Sequence, residues 1–163
     1  QLRKLAFKIL HSTTILLPAW KAVLADLKLP VRIMPHDVST RWNSTYDMLS
    51  FAFEYQKGLD AMTDQRRLGL GEYELTSYEW TLVKQLRDIL KDTTLYFSRS
   101  MPNLPMVIPA MDHIDSVFTS SILKKDRLDP AIRAGLGLAK RTLNRYYSLT
   151  DASEAYRIAM GAY

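Results

Sequence analysis

Apolar residues along this chain recur at intervals of three and four and nowhere sustain a strand-like alternation, so the pattern predicts helices and no sheet. Residues 2 to 11 place Leu2, Leu5, Ala6, Ile9 and Leu10 on one side and Lys4, Lys8 and His11 on another, which predicts an amphipathic helix with a solvated basic face. Ser12-Thr13-Thr14 weakens its continuation. A second helix carries Trp20, Val23, Leu24 and Leu27, with Pro18 tolerated in its first turn. Pro30 and Pro35 bracket Val31 to Met34, a run too short for an independent strand and read as an extended connector. Tyr46, Leu49, Ala52, Phe53, Gln56 and Leu59 then mark one side of a third helix, from about Ser44 to about Ala61, capped by Asn43 or Ser44.

Residues 63 to 75, with Asp64, Arg66, Arg67, Gly69 and Gly71, read as a flexible loop. Thr76 and Glu79 have capping-box spacing. Beyond them Trp80, Val83, Leu86, Leu90, Thr94 and Phe97, widened by Leu82, Ile89 and Tyr96, predict a long helix packed on more than one side. Pro102 and Pro105 set off a helix bearing Val107, Ala110, Met111, Ile114, Val117 and Phe118, with Pro109 in its first turn. Asp129-Pro130 starts the next, where Ile132, Leu136, Ala139 and Leu143 form a buried stripe. Arg133, Lys140, Arg141, Asn144 and Arg145 make its basic polar side, while Gly135 and Gly137 leave it dependent on packing or on a close neighbour. Thr150 and Asp151 cap a last short helix. The expected fold class is all-α with six or seven helices, a single helical domain 1–163 subdividing into 1–62 and 76–163 across the 63–75 loop.

The stretch Asp37-Val-Ser-Thr-Arg-Trp-Asn-Ser-Thr-Tyr-Asp-Met-Leu49 joins a polar lead-in to the third helix, and helical periodicity does not explain its Arg41 and Trp42. Pro35 pushes His36 out of the helical region, so the chain enters this stretch extended. Arg41 and Trp42 then sit side by side just before the third helix, where the backbone changes direction. A planar cation beside an indole can hold a phosphate and stack on a base. Equally, Trp42 can begin the core under the helix start as a hydrophobic staple against Tyr46. Trp20 and Trp80 lie on apolar stripes and read as core.

This run resembles the D-x-x-T-R-W-N-S-T-Y-x-M-L signature of the hAT superfamily of DNA transposases, in the form carried by fungal and plant relatives. The resemblance continues through Glu79-Trp80, Thr94 to Ser98 with Pro102-Asn103, Ile108-Pro109, Tyr146 to Asp151, and Tyr156 to Met160. It therefore spans nearly the whole chain. Members of that family cut DNA with an Asp-Asp-Glu set on a ribonuclease-H-like fold, and a helical insertion interrupts that fold before the glutamate. The signature belongs to the insertion. The resemblance thus implies a segment lying after the second catalytic aspartate and a Cys-x-x-His motif, and ending near Met160 before the glutamate. It implies no catalytic residue here, no enzyme activity from this segment alone, and no cofactor, the divalent metal belonging to the family's catalytic core. It further implies a nuclear protein in which Trp42 stacks on a flipped-out base near the transposon end, with Arg41 on the DNA backbone.

Composition narrows the alternatives. With 163 residues, 47% hydrophobic and 24% charged, the chain can bury one ordinary globular core. The absence of cysteine excludes disulfides, leaves a zinc site only histidines and carboxylates, and fits an intracellular, reducing compartment. The amino-terminal segment breaks at His11-Ser12-Thr13-Thr14 before a signal peptide can be assembled, and no apolar run approaches a membrane span. Lys and Arg number 22 against 17 Asp and Glu, a net charge of +5 that favours a polyanionic partner. Arg133, Lys140, Arg141 and Arg145 join Arg41 and Trp42 as the candidate DNA contacts.

Rival chemistry is poorly supplied. Asp112, His113 and Asp115, and the pair His36-Asp37, are metal-capable, but the first group reads as a solvated helix face and no metal site is expected. Gly69-Leu70-Gly71 lacks the lysine of a phosphate loop, and none of the 3 histidines stands beside a plausible nucleophile. The expected function is non-catalytic: positioning transposon-end DNA and supporting assembly, with DNA and a further copy of the chain as partners and no membrane. A second reading is a transposase-derived helical protein-protein interaction module without DNA contact.

Overall fold

The computed structural model describes residues 1–38, 42–98, 106–154 and 158, without the side chains of Trp42, residues 95–98 and Asp151. Arg41, Pro102-Asn103 and all of Tyr156 to Met160 but Ile158 lie outside the described residues. Helical spacing is realised as seven α-helices, with no strand among the described residues. They are α1 (Leu2–His11), α2 (Leu16–Asp26), α3 (Trp42–Glu54), α4 (Gln56–Thr63), α5 (Ser77–Ser98), α6 (Val107–Leu123) and α7 (Pro130–Asp151). Two compact units divide them, Gln1–Arg87 and Asp88–Tyr163, so the division falls within α5.

The first unit is built on Trp20. Its ring is fully buried, and Nε1 donates to the Arg32 carbonyl at 2.8 Å, which fixes the extended connector against α2. Phe51 and Tyr55 each stand 6.3 Å from the indole and stack on one another at 4.3 Å. The Arg32 guanidinium closes this cluster, 5.7 Å from the Phe51 ring and 3.5 Å from Glu54. α4 reaches the indole through Gly58, where a Cβ would lie 3.0 Å from Leu24 and 3.2 Å from the Trp20 ring.

That packing breaks the helix expected to run unbroken from Ser44 to Ala61. Tyr55, φ −101° and ψ 22°, separates α3 from α4 while its own amide still bonds to Phe51 O at 2.9 Å. Its ring is buried against Phe51 and Trp20, so tertiary packing reorients the chain where local periodicity alone would continue it.

Residues 63–75, read from sequence as a loop, carry two 3-10 turns, Arg66–Leu68 and Gly71–Tyr73. Gly69 closes the first at φ 62°, a left-handed conformation that favours glycine. Leu70 and Tyr73 are buried, and Lys8 of α1 pairs with Glu72 at 3.2 Å and lies 4.8 Å over the Tyr73 ring. α5 opens with the expected capping box: Thr76 N–H donates to the Glu79 carboxylate at 2.8 Å, and Glu79 N–H to Thr76 Oγ1 at 3.3 Å. The Thr76 amide, then its hydroxyl, hold Glu79 below the usual carboxylate range. Trp80 is buried, as its stripe predicts, with Nε1 donating to Asp60 at 3.1 Å.

In the second unit, Ile89, Ile114, Phe118 and Leu136 form the core, flanked by Val117, Ile132, Ala139 and Leu143. The Asp129 carboxylate accepts from Ala131 N–H at 2.8 Å, with Pro130 as the first helical residue, as predicted. α7 continues through Thr150 and Asp151, so these residues lie in its last turn, and Glu154 beyond them is again helical. Among the described residues, a Cβ at Gly135 or Gly137 would meet nothing within 4 Å, so none of them requires glycine there. Gly135→Ala and Gly137→Ala are each expected to stabilise α7 by about 0.5–1 kcal/mol, read as a rise in thermal midpoint. A fall would show that something approaches this face closely.

Candidate nucleic-acid interface

The signature folds back on itself around its first residue. Asp37 is 5% exposed, and its Oδ1 accepts from Thr45 Oγ1 at 2.8 Å and lies 3.1 Å from Ser44 Oγ. Its Oδ2 pairs with the Arg3 guanidinium, reaching from α1. Burial works to raise the Asp37 pKa, but the Thr45, Ser44 and Arg3 hydrogen bonds outweigh it and hold the carboxyl below its usual range. Ser44 Oγ also accepts from Val38 N–H at 2.8 Å and lies 2.9 Å from Val38 O. The Ser44 hydroxyl, expected to serve an amide in the first turn of the helix, thus reaches back to the extended lead-in.

One carboxylate therefore clamps α1, the lead-in and the first turn of α3. The residues between the clamped ends include Arg41 and Trp42. Sequence reasoning placed both just before the helix, but α3 starts at Trp42, which is its first residue. Arg41 and the Trp42 side chain fall outside the described residues, as does the staple to Tyr46. The sequence marks Asp37 as the head of the signature and as a metal-capable neighbour of His36, not as this clamp. The signal that assigns it a framing role is its place at the head of the signature, opposite the basic side of α1.

The other four candidates lie on α7 and divide into two pairs. Arg133 and Lys140, seven residues apart, share the flank beside the buried stripe. Lys140 Nζ lies 3.1 Å from Asp115 on α6 and within hydrogen-bonding reach of Thr119, so an intrachain carboxylate already faces its charge. Arg133 Nε is buried and has no hydrogen-bond partner among the described residues. Arg141 and Arg145, four apart, share the exposed outer face, where the Arg145 guanidinium lies 5.6 Å over the Tyr146 ring. Leu138 and Leu149 are exposed on that same face.

Asp112 is exposed and Ile114 buried, the arrangement of a solvated helix face. Among the described residues no three His, Cys, Asp or Glu converge as a metal site would require, so the divalent ion of the hAT catalytic core finds no fitting ligand set in them. No helix among the described residues is long and apolar enough to cross a membrane.

An all-helical fold whose third helix is entered through this clamped signature is that of a hAT-related, transposase-derived helical domain. A family model described as the ZBED1 RNase-like helical domain matches residues 7–89, from α1 into α5, and the chain belongs to that family. The match contains the whole signature and stops before α6 and α7. No match was found among curated proteins, and none among solved structures.

Proposed function

We propose that this chain is the non-catalytic helical insertion of a hAT-type DNA transposase, lying between the second catalytic aspartate and the glutamate, and that it holds transposon-end DNA at Arg41-Trp42 while supporting assembly. The observation that carries this reading is the Asp37 clamp. It ties Asp37, ahead of Arg41-Trp42, to Arg3 and to Ser44 and Thr45 just after them, and such fixed flanks are what a stacking platform needs if it is to meet a base without first being ordered. An aromatic platform returns roughly 1–3 kcal/mol per base, which offsets much of the few kcal/mol that extruding a base costs. The net charge of +5 favours the encounter. Arg141 and Arg145 are the better placed of the α7 candidates for phosphate, since both are exposed and Lys140 is engaged with Asp115. On this reading the chain is not itself an enzyme, carries no cofactor, and works in the nucleus with a metal-bearing catalytic core and further copies of itself.

A protein-interaction module without DNA contact is the second reading, favoured by the exposed Leu138 and Leu149 on α7. Titration with hairpin-ended duplex DNA at two salt concentrations separates the two. Binding that weakens steeply with salt supports the DNA platform, because released counterions set that slope. No binding at low salt supports the interaction module.

A further inference from the structure

Beside the signature, Arg3, Lys4 and Phe7 of α1 and the segment His36 to Val38 line an open groove of about 470 Å³. Its lining has the chemistry of a nucleotide site. Phe7 lies on the polar side of its helix and is 51% exposed, so core packing does not account for it. Its ring stacks on His11 at 3.8 Å, and His11 Nδ1 is held 2.8 Å from the Phe7 carbonyl, so the two rings form a preset aromatic pair. His36 stands 6.4 Å from Phe7 across the groove lining, and Lys4 supplies an exposed cation. Asp37, the carboxylate among the described lining residues, is buried, paired with the Arg3 guanidinium and hydrogen-bonded by two hydroxyls, so it offers little repulsion to a phosphate.

Position adds to this. Val38 closes the groove and is bonded to Ser44 in the first turn of α3, so the groove adjoins the helix start that carries Trp42. We propose that this groove takes an unpaired nucleotide next to the one met by Trp42, its base stacking on Phe7 and its phosphate on Lys4. The inference rests on the DNA reading above. It adds a second stacking position on a different helix, contributed by a residue outside the signature.

The test compares two hairpin-ended duplexes, one blunt and one carrying a short oligothymidine flank with 2-aminopurine as its first unpaired base. The chain is expected to bind the flanked DNA more tightly and to quench the probe. Phe7→Ala should lose about 5- to 100-fold on the flanked DNA only, and Phe7→Tyr should retain affinity. Lys4→Ala should lower the salt slope by about 0.7 on the flanked DNA. Since Phe7 and Lys4 are exposed, circular dichroism should show unchanged helix content in each variant. Equal binding of the two DNAs, with Phe7→Ala indifferent, overturns the groove and leaves the Trp42 platform standing. Failure of the unaltered chain to bind either DNA overturns both.

Discussion

Replacing Asp37 with alanine is expected to destabilise the first unit by about 2–4 kcal/mol. The loss comes from charge-assisted hydrogen bonds, each contributing about 1.5–3 kcal/mol where the acceptor is buried, less the fraction that Arg3 recovers by facing water. The same carboxylate gives a pH signature. Its folded pKa lies below the ordinary 3.8, so its contribution is complete above that value and disappears as pH falls through the folded pKa. Asp37→Asn should therefore lower the urea midpoint near pH 7 and narrow its gap to the unaltered chain as acid is added below 3.8. A gap that stays constant down to strong acid would show that the Asp37 charge is not what holds α1 to α3.

Trp20→Ala should cost more, about 3–5 kcal/mol, since removing a fully buried indole leaves a cavity and the Arg32 carbonyl loses its donor. With domain stabilities of about 5–15 kcal/mol, that is a large part of what holds the unit folded. Gly58→Val reports on the same contact from the other side. Helix propensity alone would favour the substitution, but a branched Cβ must displace Leu24 and the indole, so a loss of about 1–3 kcal/mol is expected. Opposite signs at Gly58 and at Gly135 would separate a glycine needed for close approach from glycines that only weaken a helix. Trp20, Trp42 and Trp80 all lie in the first unit, so indole fluorescence follows its unfolding in the Gly58 variant.

What the sequence made legible was local. The amphipathic side of α1, the Thr76-Glu79 capping box and the Asp129-Pro130 start each rest on residues within a few positions, and the structure realises them. Contacts between distant residues were not legible. Tyr55 breaks a helix because Trp20, far earlier in the chain, offers it a surface. Lys8 and Lys140 read as parts of solvated basic faces, yet Glu72 and Asp115, brought in by folding, pair with them. At the candidate site the signature draws attention to Arg41 and Trp42, whereas the partner that anchors its first residue is Arg3, which the sequence pattern does not single out.

The signature thus holds a frame, Asp37 with Ser44 and Thr45, and on the proposed function Arg41-Trp42 are the residues that meet nucleic acid. Trp42→Ala distinguishes that role from more frame when thermal midpoint and affinity for hairpin-ended DNA are measured on the same sample. An unchanged midpoint with affinity weakened about 5- to 100-fold is expected. A lowered midpoint with unchanged affinity would contradict it and make the indole part of the core.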